Sequence, residues 1–437
     1  MTHTADTSYY KAPQMGASLY DWLARSRQWH IEYGGYLSNH LTHNWLVISA
    51  AGGSEDQMQW WQDLYTNKLT DKPAREPGDL DLARQRPTDQ VAISDGNWRD
   101  HFETSRQAFP AYRDFFDDRI AELGLSATLR HYLPPLLPGL AGAALHPLIH
   151  TGWGAEAESA VMVGEGLAYL ATAHQPLGGD AAPNPLWSPD APGPIDAALA
   201  FLTDAKAKGL AQVAQRAAQT EAYRSLDRGR FQPRLIAFDD PALPLGAALN
   251  AVGPLGLPPT AAPLTDVVEE LTVLMAAALR GSDNEFFVLH GLTSLHGVLA
   301  LLPHLDPEDQ RAALSHWWRA AMATVVAQDF PGLAETAARL DDWRTVRHGS
   351  PAHRMTAEQS AWWQSALEQS LASLEEHLPK AVYVLWRWSA WQAFSAATVA
   401  LFQDAAKNLL KPHPPGRLHD NLWTGQGASL TGAPSKP

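Results

Sequence analysis

The sequence predicts an all-α protein, a single large helical domain of packed antiparallel helices with long Pro-rich loops. Two observations carry this reading. Apolar residues recur at helical spacing along most of the chain. The β-branched alternation that marks strands is missing almost everywhere, and no repeat of fixed period divides the chain. At 437 residues the chain can bury a sizeable core, and 45% apolar against 18% charged residues are globular values.

The helical domain is expected over residues 15–410, between a flexible N-terminus at 1–14 and an extended tail at 411–437. Residues 17–33 and 36–50 read as two helices, with Gly34 and Gly35 between them and Gly52 and Gly53 closing the second. A third runs over 55–68, with Ser54 as N-cap and Trp60, Trp61 and Leu64 on its apolar side. Residues 70–96 are rich in Pro, Asp and Arg and read as a surface loop. Helices resume at 97–122 and 126–133, until Pro134, Pro135 and Pro138 interrupt them. The segment 140–150 carries the second histidine couple, 155–175 follows as a helix, and then comes a Pro/Gly/Asn loop at 176–195. Further helices are expected at 196–228, 264–280, 284–302, 307–327, 331–346, 357–377 and 380–408, with irregular, Pro-rich chain at 229–263. The loops at 70–96, 176–195 and 229–263 exceed the usual length, as functional loops often do.

Composition excludes several function classes. Net charge is -14, from 33 basic and 47 acidic residues, and no basic run exists. Nucleic acid and anionic membrane surfaces are therefore not expected partners. Cysteine is absent, which removes disulfides, thiolate catalysis and iron–sulfur clusters. No uninterrupted apolar stretch of about 18 residues suggests a membrane span. The segment Met1 to Asp6 lacks the basic and apolar regions of a signal peptide, so a cytoplasmic protein is expected. Seventeen tryptophans serve either as core or as lining of a pocket for a flat apolar ligand. The oligomeric state is open.

Chemistry concentrates in histidine couples. His40 and His43 are three apart, and His146 and His150 four apart, spacings that put two rings on one helix face. Both segments are apolar, so the rings are expected to point inward, and neutral imidazole is the commonest metal ligand. The alternative is a set of core histidines bonded to backbone carbonyls. Pro147 suits a first helical turn, which puts His146 at a helix start. The run Thr151 to Glu156, with Gly152 and Gly154, is expected to break that helix. His290 and His296 are six apart and face different ways; His296 is the one expected to join the couples. His377 and Lys380 are again three apart, with Pro379 expected to disturb their helix. A lysine there snorkels to the surface or, if buried, is neutral, paired or modified. A carboxylated lysine would offer an oxygen ligand. The G-x-G of Gly164 and Gly166 follows no strand and is rejected as a dinucleotide fingerprint. The Glu-x-x-His pattern of di-iron proteins fails, because Glu376 and His377 are adjacent. His174, His304, His316, His348, His353, His413 and His419 are expected at the surface.

Taken together, Asn39 to His43, His146 to Glu156, His290 to His296 and His377 to Lys380 resemble the questin oxidase family in order and separation, over about residues 15–410. The His-Pro-x-x-His segment with its glycines is the most specific part. The resemblance implies an oxygenase of aromatic polyketide metabolism that opens anthraquinone rings in a Baeyer–Villiger-like oxidation, with NADPH as a further cofactor. It implies mononuclear non-heme Fe(II), with His43, His150, His296, His377 and a carboxylated Lys380 as ligands. It leaves His40 and His146 as catalytic partners, either additional ligands or donors behind them, and does not assign the substrate-facing aromatics; Trp45 and Trp153, beside the couples in sequence, are expected to line the pocket. Pro379 departs from the aliphatic residue expected there. The partners are then a small aromatic substrate and O2. Two other readings stand beside it: a non-catalytic helical binding protein for an aromatic ligand, and a metal-independent oxygenase with a histidine base.

Overall fold

The computed structural model describes residues 15–33, 37–71, 92–102, 106–179, 184–226, 231–373, 375–391 and 393–411. It is all-α. The expected N-terminus at 1–14, the Gly34-Gly35 link, most of the 70–96 loop, His413, His419 and nearly all of the tail lie outside the described residues.

The first helix is shorter than its periodicity suggested. α1 covers Leu19–Arg25, a 3₁₀ turn follows, and the chain then pairs β1 (Glu32–Tyr33) with β2 (Leu37–Ser38) in an antiparallel hairpin. α2 (Leu41–Ala50) begins after His40, which is its cap and not its first turn. The Asn39 side chain accepts the Leu41 N–H at 3.0 Å and so ends the strand and starts the helix. α3 (Glu55–Asp71) follows, then 3₁₀ turns where a helix from 97 was expected, then α4 (Phe109–Leu123) and α5 (Leu125–Tyr132).

Residues 140–145 form a tight corner ahead of the next helix. Ala143, Ala144 and Leu145 have φ of 43°, 54° and 69°. Left-handed backbone costs an L-residue roughly 1–2 kcal/mol, so this corner stores strain. It delivers the chain into α6 (His146–Glu156) with Pro147 in the first turn. α6 runs unbroken through Gly152 and Gly154, against the expected break. Ser159 caps α7 (Ala160–Thr172) through the Met162 N–H.

β3 (Trp187–Ser188), α8 (Pro194–Ala207), α9 (Leu210–Ala218) and α10 (Glu221–Arg224) come next. The stretch expected to be irregular holds α11 (Gln232–Ile236), α12 (Pro244–Asn250) and β4 (Leu255–Gly256), which pairs parallel with β3. α13 (Thr265–Gly281), α14 (Phe286–Leu301), α15 (Pro307–Ala327) and α16 (Leu333–Arg347) follow the predicted periodicity closely. α17 (Ala357–Leu371) opens with a capping box of Thr356 and Gln359. α18 (His377–Ser389) and α19 (Ala396–Leu409) complete the order. Pro379 sits in the first turn of α18, where its missing N–H has no helical partner to lose, so it does not disturb the helix.

The chain forms two compact units. The N-terminal unit comprises Ala12–Pro176 and His296–Ala313. The C-terminal unit comprises Leu177–Leu295 and the chain from Leu314 onward. Each is discontinuous, and the chain crosses between them inside α14 and again inside α15. The stretch Phe286–His304 is long and apolar enough to cross a membrane, yet 94% of its apolar window is buried within the protein. A helix apolar all round is what a core position demands.

In the N-terminal unit, α6 packs on α7 and on the end of α14. A Cβ on Gly152 would lie 2.2 Å from the Gly297 carbonyl oxygen, so the two backbones touch with no side chain between them. Gly142 is as constrained: its Cβ would meet the Ala173 carbonyl at 1.7 Å. These glycines are there for contact and not for flexibility.

In the C-terminal unit, Glu269 on α13 ties three helices. It accepts from Arg347 Nε on α16 at 2.9 Å, and from Ser395 N–H and Thr398 Oγ1 at the start of α19 at 2.9 and 2.6 Å. The Trp343 indole N–H donates to the same Thr398 hydroxyl at 2.8 Å. A buried carboxylate is tolerated when its lone pairs are met in this way.

Gly152→Ala should destabilise the fold by roughly 1–3 kcal/mol, because a methyl there must push main chain and not a flexible side chain. A lower denaturant midpoint at unchanged m-value is the expected result.

Candidate active site

In the N-terminal unit, five imidazoles and two carboxylates gather around the α6–α14 contact. His43, in the first turn of α2, and His150, one turn into α6, are each 2% exposed. Their rings meet edge to face at 5.2 Å. His40 stands at the mouth of α2, with its N–H donated to the Tyr65 hydroxyl at 2.8 Å. Its ring meets His43 at 6.0 Å and stacks on His146 at 5.0 Å and 15°. The couples do associate, although His40 does so from a cap and not from a shared helix face.

Trp153 is fully buried, with its ring edge-on to His43 at 5.4 Å and to His296 at 5.6 Å. It forms a wall between them. Trp45 packs on Trp22 at 5.4 Å and donates its indole N–H to the Met58 carbonyl at 3.1 Å, which places it in the α1–α2–α3 core.

The carboxylates are Glu156 and Glu165. Glu156 ends α6, and its Oε2 lies 2.9 Å from His296 Nε2 with both side chains fully buried. Glu165, in the middle of α7, places Oε2 3.4 Å from His150 Nε2. That distance suits an ion pair, but the alignment is not that of a hydrogen bond: neither ring nitrogen of His150 has a hydrogen-bond partner among the described residues. Behind Glu165 stands Arg27, 3.7 Å from Oε1 and bonded to Asp117.

In the C-terminal unit, His290, His377 and Lys380 stand among aromatics and acids. The rings of His290 and His377 lie 5.6 Å apart, and Phe286 packs on both at 4.8 and 4.7 Å. Glu375 accepts the N–H groups of His377 and Leu378 at 2.8 Å each through Oε2, and its Oε1 lies 2.6 Å from His377 Nδ1. One carboxylate thus caps α18 and orients the first ring on it. Lys380, one turn into α18, is fully buried and does not snorkel. The neighbouring Glu376 is buried as well.

Fixed partners decide which nitrogen each ring can offer. A carbonyl oxygen or an ionised carboxylate can only accept, so the ring nitrogen facing it must carry the hydrogen. His146 Nδ1 donates to the Ala143 carbonyl at 2.6 Å, and His290 Nδ1 to the Phe286 carbonyl at 2.8 Å. With His377 Nδ1 held by Glu375, all three present Nε2 as the ring acceptor. Two chain features serve this directly: the strained corner at Ala143 aims His146, and the i–4 carbonyl of α14 aims His290.

The buried acids escaped the sequence reading. Their signal was a Glu inside a small, apolar helical run, as in Val163-Gly164-Glu165-Gly166. Of the histidines expected at the surface, His353 is 6% exposed, held in by its backbone bond to Phe394. His174 is half-buried against Phe102, and His304 is half-buried and bonded to Ser126. The Gly164–Gly166 pair lies inside α7, with no phosphate-binding turn around it.

The questin oxidase-like family model matches residues 37–385, a span that takes in both histidine clusters. A curated relative, the Baeyer-Villiger oxidase AgnL3 of Paecilomyces divaricatus, is 28% identical over 141 residues. The match spans 31% of this chain and 28% of that relative's length.

Glu285 yields a pH test. It is 1% exposed, and its Oε2 caps α14 by accepting the N–H groups of Phe287 and Val288 at 2.7 and 2.8 Å. Burial pushes its carboxyl up to about 7 from 4.5, against the opposing pull of those two N–H groups and Arg234. A raised carboxyl favours the fold while protonated. Its contribution is full below the unfolded value of 4.5 and is lost as pH rises through about 7. The loss is on the order of 3 kcal/mol. Glu285→Gln stays neutral, so its stability relative to the parent should climb by that order between about pH 5 and about pH 8. Denaturant titrations at both pH values measure this, and parallel curves would refute it.

Proposed function

Because the chain belongs to the questin oxidase-like family, we propose that it is an oxygenase that uses O2 to open a ring of an aromatic polyketide or quinone-type substrate. The reaction is Baeyer–Villiger-like: one oxygen atom of O2 is inserted beside a ring carbonyl, the other leaves as water with NADPH as the two-electron donor, and hydrolysis of the resulting lactone opens the ring. The name of the AgnL3 relative supports this chemistry.

One observation carries the metal part of the proposal: His150 is buried with neither ring nitrogen hydrogen-bonded among the described residues, beside His43 and the Glu165 carboxylate. Leaving such a polar group unsatisfied costs about 1–3 kcal/mol, which a bound ligand would recover. Imidazole and carboxylate donors without thiolate fit Fe(II). His43 and His150 would hold the ion, with Glu165 available as an oxygen donor or as the acceptor that orients His150. When bound, iron supplies the O2 activation that closed-shell side chains lack. Trp153 keeps water from the rings. His40 and His146 stack on each other beside His43, where they can hold or pass a proton. The resemblance also assigns ligand roles to His377 and a carboxylated Lys380. The full burial of Lys380 supports modification, since an ammonium taken out of water is costly.

The His150–Glu165 couple also favours a second reading, a metal-free oxygenase. The carboxylate beside the ring would orient His150 to take the proton of an acidic phenol.

Metal analysis of untagged protein after anaerobic Fe(II) loading separates the two. The iron reading expects close to one iron per chain, activity lost in chelator, and at least about a hundredfold loss of both in His150→Ala. Less than about 0.1 iron per chain with activity persisting in chelator would end it and favour the histidine base.

A further inference from the structure

We propose that Glu156 is a positioning residue that fixes the tautomer of His296, holding the ring proton on Nε2 and leaving Nδ1 as the nitrogen offered to a ligand. The identity of that ligand as Fe(II) rests on the oxygenase reading; the tautomer does not.

The argument starts from the 2.9 Å contact between His296 Nε2 and Glu156 Oε2. Both side chains are fully out of water, so no solvent competes for this bond. An ionised carboxylate brings no hydrogen, so Nε2 supplies it. The geometry has little freedom. The close approach of Gly152 to Gly297 fixes α6 against α14 one turn from Glu156 and one residue from His296. Trp153 then lies edge-on to the His296 ring at 5.6 Å and limits its swing.

His296 is thereby set apart from His146, His290 and His377, whose Nδ1 atoms face a carbonyl or carboxylate. Those rings offer Nε2, at the far tip of the imidazole. His296 offers Nδ1, the nitrogen nearer the main chain. Nδ1 is crowded by its own backbone and suits a single ion better than an organic substrate. A carboxylate behind the ring also raises its strength as a ligand, the arrangement that metal-bound histidines use widely.

The opposite proton placement is chemically distinct. A protonated Glu156 would donate to Nε2, the hydrogen would move to Nδ1, and His296 could not bind a cation at all.

The test begins with metal-free protein carrying 15N-histidine, with His296 assigned by the loss of its signals in His296→Gln. Long-range proton–nitrogen correlation at slightly alkaline pH should show a protonated Nε2 in the parent protein. Glu156→Gln, of equal size, should weaken that preference and lower Fe(II) affinity about ten- to a hundredfold in anaerobic titration. A bare Nε2 with the proton on Nδ1 in the parent would overturn the assignment, as would unchanged Fe(II) affinity in Glu156→Gln. If the parent takes up no Fe(II), the iron reading falls by itself, and the nitrogen spectrum still decides the tautomer.

Discussion

The contact between Gly152 and Gly297 sets what the N-terminal unit can do. With no side chain between α6 and α14, two helices meet at main-chain distance. Trp153 and Glu156 then reach His296 with short, rigid geometry, and His150 stands one turn away on the same helix. Packed interiors transmit displacement, so a spacer of one methyl at this crossing would be felt by all four groups. The contact costs no side-chain entropy, but each glycine gives up more backbone freedom in its helix than another residue would.

A second principle orders the chemistry. Every histidine with a fixed partner in these clusters is oriented through one nitrogen, by a carbonyl or by a carboxylate. The protein supplies those acceptors from local structure: a strained corner, a helical carbonyl, a capping glutamate and the last residue of a helix. One of them, Glu375, also accepts two N–H groups at the start of α18, so ring orientation and helix capping are one device.

Much of this was legible in the sequence, and the failures have physical reasons. The all-α class followed from periodicity, and helices such as α13 to α16 fell where predicted because long amphipathic or apolar runs have one solution. The histidine couples pointed to a real cluster. Gly152 and Gly154 read as helix breakers, because a sequence does not say whether a glycine is present for its φ or for its missing side chain. The corner at Ala143, Ala144 and Leu145 was invisible, since none of these residues favours left-handed backbone and only tertiary packing holds them there. His40 shares no helix face with His43, because it is the N-cap of α2 and stands outside its first turn. Glu156 and Glu165 went unnoticed since an acidic residue in a helix reads as a solvated face, and their burial depends on partners distant in the chain. The division into two discontinuous units left no mark in composition.

That discontinuity gives the site a schedule. His296 to Ala313 belong with Ala12 to Pro176, so the ribosome must add well over a hundred residues before the first unit can be completed. At ordinary elongation rates this is a delay on the order of ten seconds. Throughout it, the glycine-lined side of α6 waits uncovered, with His150 and Glu156 assembled on a surface that still lacks its opposite wall. Apolar surface exposed for that long is what makes a partly folded chain prone to aggregate.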